Sequence, residues 1–203
     1  MGYIKLFQSY IKEKFTTKKK KYNYFPKTKE ELKDIIKQRI KQEGYKVDLN
    51  NIDVSKITDM SKLFEDFNNF NGNISAWNVS NVTNMGGMFW GCKSFNQDIS
   101  SWNVSKVTDM SWMFVNCKSF NQDISSWDVS KVTDMNSMFL GCHKFNQDIS
   151  TWDVSNVIDM NGMFMHCKTF NQDISNWYVS KVDNIIYMFE YCPIEEKYKP
   201  KFN

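Results

Sequence analysis

The stretch FNQDISSWDVSKVTDMNSMFLGC, residues 120–142, recurs along this chain of 203 residues at a fixed step. A tryptophan and a cysteine each recur every 25 positions without an insertion. The tryptophans are Trp77, Trp102, Trp127, Trp152 and Trp177, and the cysteines are Cys92, Cys117, Cys142, Cys167 and Cys192. A constant period of this length is typical of one structural unit stacked on copies of itself. The sequence therefore predicts an array of six units over residues 52–192.

Apolar residues within one unit show two periodicities. Residues 110–117 are apolar at i, i+3, i+4 and i+7, which predicts a short helix, with Thr108 and Asp109 placed to cap it. Residues 95–99 alternate between apolar and polar side chains, as in a short strand. We therefore predict an α+β repeat solenoid of right-handed, leucine-rich-repeat-like coils, with short strands and one short helix per coil.

The repeated string WxVSxVTDMxxMFxxCxxFNQDIS resembles the repeat, about 25 to 26 residues long, of certain bacterial surface proteins. That repeat is abundant in mycoplasma-type lipoproteins and is related to the BspA-like leucine-rich repeats. The resemblance extends over residues 52–192. It implies surface display, adhesion and protein binding, although a shared fold does not by itself define a function.

Charge is distributed unevenly along the chain. Residues 1–50 contain 14 Lys and Arg against six Asp and Glu, whereas the remaining residues contain 12 against 17. The basic amphipathic segment 1–25 includes a run of four lysines, Lys18, Lys19, Lys20 and Lys21. Such a segment suits an anionic membrane surface or a single-stranded nucleic acid, and it is also typical of a solvated linker.

The segments that flank the array have the pattern of end caps. A helix is predicted from Pro26 to Gly44, because Thr28 and Glu31 form a capping box and Gly44 favours a helix end. Its apolar stripe consists of Leu32, Ile35, Ile36 and Ile40. With a joining strand up to residue 51 this helix forms an N-terminal cap, residues 26–51, and residues 193–203 are predicted to fold over the last unit.

The five cysteines share one position on the apolar side of the repeat, which predicts a row of buried, free thiols rather than disulfides or a metal site.

Residues 3–15 are too charged for the apolar core of a signal peptide, and no run reaches membrane-spanning length. The expected location is therefore the cytoplasm, although relatives in the resembled family are commonly at the cell surface.

No phosphate loop, nucleophile elbow or HExxH motif occurs, so we predict neither catalysis nor a cofactor.

An acidic row recurs at the repeat step and consists of Asp98, Asp123, Asp148 and Asp173. Stacked carboxylates repel one another and require compensation. In one interpretation, hydrogen bonds from backbone N–H groups and the charges of nearby lysines offset the repulsion. In the other, a bound cation such as Ca²⁺ offsets it.

Positions that differ between copies are not dictated by stacking, and they lie on or beside the predicted short helices. The candidate partner-binding residues at these positions are Trp90, Trp112, Val115, Leu140, Met165, Tyr187 and Tyr191. Apolar and aromatic surface residues of this kind favour protein binding. Trp112 is expected to be exposed, since it lies between the inward-facing Met110 and Met113; in the alternative interpretation Trp90, Val115, Leu140 and Met165 complete the core.

The sequence thus predicts a non-catalytic protein–protein interaction module that is a monomer, with an unidentified protein partner. The alternative is a tether, in which residues 1–25 bind an anionic membrane or a nucleic acid and the array serves as a scaffold.

Overall fold

The computed structural model describes residues 22–202. Regular secondary structure in this part of the chain is limited to helix α1 (Lys29–Glu43) and a 3-10 helix (Glu196–Tyr198). Extended structure consists of isolated parallel bridges, such as the one between Asp109 and Asp134. The predicted α+β repeat solenoid is therefore wrong, because the repeats of residues 22–202 contain neither short strands nor short helices.

Backbone hydrogen bonds between units explain why the predicted helix over residues 110–117 is wrong. In a helix every N–H group would bond to the carbonyl four residues earlier. Here Met110 and Trp112 donate their N–H groups to the carbonyls of Asp134 and Asn136 in the next unit, at 3.0 and 2.8 Å. Met113 donates instead to Met110, only three residues back. The apolar spacing thus comes from a series of tight turns whose alternate N–H groups pair with the following unit.

Asparagine side chains take the place of the strand predicted at residues 95–99. The N–H group of Asn121 donates to Oδ1 of Asn96 at 2.9 Å, and Oδ1 of Asn121 accepts from the N–H group of Asn146 at 2.9 Å. Gln147 Nε2 also donates to Oδ1 of Asn121. Because side-chain oxygens accept these N–H groups, the segment joins its neighbours without forming a β-ladder.

The interior is filled by rows of identical side chains, one from each unit. Phe114 stacks on Phe139 with 5.7 Å between ring centroids, and both side chains are fully buried. Trp127 Nε1 donates to the carbonyl of Ile99 at 3.1 Å, and the other repeat tryptophans make the same contact one unit along. Burying such a side chain stabilises the fold by about 1.5–3 kcal/mol.

The predicted row of free thiols is confirmed. All five cysteines are free; Cys92, Cys117, Cys142 and Cys167 are buried, and Cys192 is half-buried. Cys117 Sγ donates to the carbonyl of Phe89 at 3.0 Å. Burial raises the pKa of the Cys117 thiol well above its ordinary value, so this group is a poor nucleophile.

Helix α1 confirms the predicted N-terminal helix. Thr28 Oγ1 accepts from the N–H group of Glu31, and Gly44 ends the helix at a φ of 84°. Its apolar side packs into the core, and Lys29 Nζ contacts Asp59 Oδ2 at 2.7 Å on the first unit. No joining strand forms at residues 45–51, where Asp48 makes a single bridge to Asn73 of the first unit.

Residues on either side of the array also join its body. Tyr24 forms a bridge with Ile52, and the Arg39 guanidinium lies 5.4 Å from the Tyr24 ring centroid. At the other end, Ile174 donates its N–H group to the carbonyl of Tyr198 at 3.0 Å, which attaches the tail to the last units. Within residues 22–202, no helix has the length and apolar composition needed to cross a membrane.

The asparagine row gives a test of what holds the units together. Asn121→Ala leaves the N–H group of Asn146 and Nε2 of Gln147 without this acceptor, so we expect the free energy of unfolding to fall by about 1–3 kcal/mol. Urea unfolding followed by tryptophan fluorescence measures the change. The matched control is Asn103→Ala, since Asn103 Oδ1 accepts from Ser105 within its own unit. Equal losses in both variants would contradict the role given to the row.

Candidate functional site

Two residues in each unit adopt a positive φ, and they lie four positions apart. The pair is Gly87 and Gly91 in one unit, at 63° and 77°, and Trp112 and Asn116 in the next, at 56° and 58°. A positive φ at the third residue of a tight turn strongly favours Gly or Asn. These positions form rows that run from unit to unit, and their side chains range from the buried Ser137 to the exposed Trp112 and Tyr187.

Trp112 departs from this turn chemistry. A bulky residue in the left-handed region costs about 1–2 kcal/mol relative to glycine, which two other units, at Gly87 and Gly162, have in the same place. Its side chain is 42% exposed, so the covered part of the indole, which packs beside Trp90, has to offset that cost. The expected exposure of Trp112 is confirmed. A strained aromatic side chain that stays partly exposed is a candidate functional position.

Trp112 is part of a small aromatic face, which we define as Lys62, Trp90 and Trp112 on three successive units. The Trp90 and Trp112 ring centroids are 6.3 Å apart with the rings tilted by 33°. The Lys62 ammonium lies 5.5 Å from the Trp90 ring centroid, within range of a cation–π contact worth about 0.5–1 kcal/mol at an exposed site. The Lys62 ammonium also lies 3.4 Å from Oε1 of Glu65, so the aromatic face combines two indole rings with an ion-paired lysine at its edge.

A second group of side chains lies on the last two units, and we call it the terminal cluster: the half-buried His166 and the exposed Ile186, Tyr187 and Tyr191. The His166 and Tyr191 rings stack with 4.6 Å between centroids. Tyr187 and Tyr191 are 61% and 69% exposed and adopt positive φ angles of 58° and 55°. The terminal cluster thus repeats the combination of exposure and left-handed backbone found at Trp112.

The other predicted partner-binding residues are less accessible. Val115 is buried, with 5% of its surface exposed, so it belongs to the core. Trp90, Leu140 and Met165 are half-buried, so they take part in both the core and the surface. The four lysines of the tether hypothesis, Lys18, Lys19, Lys20 and Lys21, lie outside the described residues.

Four surface residues were missed by the sequence analysis: Lys62, His166, Ile158 and Tyr178. Ile158 and Tyr178 are exposed, and each replaces a polar residue of its row, which is mainly Thr for Ile158 and Asn or Asp for Tyr178. Comparing the repeat copies in the sequence could therefore have identified Ile158 and Tyr178, because each is an apolar or aromatic residue in an otherwise polar row. His166 also lies at a position that varies between copies, but the ring contacts of Lys62 and His166 depend on how the units are stacked.

The acidic row at Asp98 has the hydrogen bonds of the first predicted compensation, and serine residues of the same unit donate them. Asp98 Oδ1 accepts from the N–H and hydroxyl groups of Ser100 at 2.9 and 2.7 Å, and these bonds lower the pKa of Asp98. Asp123 and Ser125 repeat the contact one unit along. Over residues 22–202 no three His, Cys, Asp or Glu side chains are grouped so as to hold a metal ion.

A second acidic row is more enclosed. Asp109, Asp134 and Asp159 occupy consecutive units and are joined by parallel bridges. Burial, together with the charges of Asp109 and Asp159, raises the pKa of Asp134. Asparagine flanks these three aspartates on both sides, at Asn84 and Asn184, where it removes a charge and keeps a side-chain oxygen; beyond Asn84 the bridges continue to Asp59.

Comparison with known proteins places most of the chain in one family. Residues 31–139 and 124–198 match the sequence model of a family described as "Mycoplasma protein of unknown function, DUF285". No curated protein and no solved structure matches the chain. The match supports the resemblance to mycoplasma repeat proteins, while the finer relationship to BspA-like leucine-rich repeats stays a prediction.

The enclosed acidic row gives a test with a defined sign. A carboxyl whose pKa is raised on folding contributes stability below its unfolded pKa and loses that contribution as pH rises through the folded pKa. Asp134→Asn should therefore raise the free energy of unfolding near pH 7, by about 0.5 kcal/mol after solvent screening. The gain should disappear below about pH 4, where Asp134 is protonated. Urea unfolding at both pH values measures this difference.

Asp123→Asn is the control for Asp134→Asn. Hydrogen bonds from Ser125 lower the pKa of Asp123, so removing its charge should not raise stability at neutral pH. Stabilisation by both substitutions would show that net charge, rather than the enclosed row, is responsible.

Proposed function

The chain belongs to DUF285, a family of mycoplasma proteins of unknown function, and from its surface we propose that it is a non-catalytic protein-binding module. The observation that carries the proposal is Trp112, an exposed aromatic residue at a positive φ where Gly87 and Gly162 stand in other units. Tryptophan is enriched among the residues that dominate protein interfaces. The binding site in this proposal is the aromatic face, with Trp112 as its anchor.

The construction of the array supports a binding role. The inward side chains and the hydrogen-bonding residues of each unit are nearly the same from copy to copy, so the backbone of the face is held in a fixed position. The positions of the face differ between copies without disturbing that frame. A rigid support reduces the entropy lost on association, which favours affinity.

The chemistry of the aromatic face suits a particular kind of partner surface. Two indole rings present apolar area with N–H donors at their edges, and Lys62, which is ion-paired with Glu65, lies beside Trp90. A protein surface with an apolar pocket and nearby hydrogen-bond acceptors would complement it. By the resemblance to BspA-like surface repeats, we include adhesion to such a protein in the proposal.

The tether remains a second candidate function, because the charge distribution favours it. Residues 1–21 contain seven lysines against one glutamate, whereas the repeats are acidic. A truncation that tests this candidate should begin at residue 22, since Tyr24 pairs with Ile52. Loss of salt-sensitive binding to vesicles containing phosphatidylserine, or to single-stranded oligonucleotides, in chain 22–203 would support a tether. Equal binding by both chains would contradict it.

The protein-binding proposal predicts that Trp112→Gly loses binding without losing stability. Glycine removes the indole and suits the positive φ, so the free energy of unfolding should change by less than about 1 kcal/mol. Proteins captured by the full chain are identified by mass spectrometry, and each is then purified for measurement of its Kd. The dissociation constant of a true partner should rise at least about tenfold with Trp112→Gly.

Ser137→Gly is the matched control, since Ser137 occupies the same repeat position one unit further and also has a positive φ. It should leave the Kd unchanged. A partner that binds wild type and both variants equally would contradict the assignment of the aromatic face.

A further inference from the structure

The last unit ends in a row of backbone donors that have lost their acceptors. In the unit before it, Met160, Gly162, Phe164 and His166 donate their N–H groups to the carbonyls of Asn184, Ile186, Met188 and Glu190. One unit later, the equivalent N–H groups are those of Ile185, Tyr187, Phe189 and Tyr191. None of these four N–H groups has an acceptor within residues 22–202. We call this row the donor edge.

Within residues 22–202 no backbone group pairs with the donor edge, although the Lys199 ammonium of the tail lies 5.5 Å from the Phe189 ring centroid. The tail attaches beside it through the contact between Ile174 and Tyr198 and does not pair with it. A cavity of about 280 Å³ lies between the edge and the tail, lined among others by Ile185, Phe189, Lys199 and Phe202. Ile186, Tyr187 and Tyr191 are all exposed along the same unit. Unpaired backbone groups beside apolar side chains form a template for a further polypeptide segment.

Hydrogen-bond polarity restricts what can occupy the edge. Apart from the carbonyl of Asp183, which lacks the donor that a further unit would supply, its unpaired groups are donors, so the same edge of a second copy offers one acceptor for four donors. The opposite end of a second copy is covered by α1, where Lys29 contacts Asp59 and Ser61. The complement is a segment that presents backbone carbonyls at every second residue, as residues 184–190 present them to the preceding unit.

We propose that the donor edge binds a segment of another repeat protein, which carries the turn sequence of these units and adds to the array as one more unit. The added segment accepts hydrogen bonds from Ile185, Tyr187, Phe189 and Tyr191, and its apolar side chains continue the buried rows. This mode of recognition resembles the addition of a peptide strand to an open sheet edge, with tight turns in place of the strand. It is independent of the aromatic face, which lies on the first three units.

Amide hydrogen exchange of the full chain tests the proposal. In the free chain the amides of Tyr187 and Phe189 should exchange at least about tenfold faster than those of Gly162 and Phe164. The probe is a synthetic peptide of residues 133–142 with Cys142→Ser, added at about 1 mM because a short unstructured peptide binds weakly. The peptide should slow exchange at the donor edge at least about tenfold. No slowing, or equal slowing by a peptide of scrambled sequence, would overturn the proposal.

Two variants separate the donor edge from the other surfaces. Tyr187→Gly removes the ring and keeps the backbone N–H group. Glycine suits this position, since Gly162 occupies it in the preceding unit, so the peptide should still protect the donor edge from exchange. Trp112→Gly should also leave this protection unchanged, whereas the proposed protein binding through the aromatic face is lost in that variant. Loss of peptide protection in either variant would show that side chains rather than backbone donors bind the peptide. That result would contradict the proposed role of the donor edge.

Discussion

The pairing of alternate backbone N–H groups with carbonyls 24 residues further along is the interaction on which this structure depends. It sets the register in which each unit lies on the next, as in the bonds from Met110 and Trp112 to Asp134 and Asn136. It also determines which side chains point inward. Because the remaining N–H groups bond within their own turns, the polar backbone is satisfied without helices or sheets, and the core can form from rows of identical side chains.

Stacking identical residues has favourable and unfavourable consequences. Phenylalanine rings, tryptophan N–H groups and cysteine thiols gain from a copy at the repeat step, since each finds a ring or a carbonyl in the preceding unit. Stacking is unfavourable for carboxylates, since burial and, to a smaller extent, the charges of Asp109 and Asp159 raise the pKa of Asp134. Asparagine on both sides of these three aspartates relieves the repulsion. The exposed acidic row instead relies on serine donors within each unit.

The surface divides into positions that stacking dictates and positions that it leaves free. Trp112 and Tyr187 lie at free positions where glycine would suit the backbone better, and both are exposed. That preference for an aromatic residue over the one favoured by the fold is the reason for placing binding on these turns. The donor edge has a different origin, because any array of this kind has unpaired donors at one end unless another segment covers them.

The sequence by itself determined the repeat length, the rows of Trp, Phe and Cys, helix α1 and the exposure of Trp112, because each follows from periodicity or local capping chemistry. It also contained a clue to the turns, since Gly87, Gly91 and Asn116 are residues typical of a positive φ. Only the tertiary structure decided that residues 110–117 form turns instead of a helix. The apolar spacing is the same in both cases, and the choice depends on where the N–H groups find acceptors. Those acceptors lie one unit away, so the buried Val115, the Lys62–Trp90 contact and the open donor edge all follow from stacking rather than from local sequence.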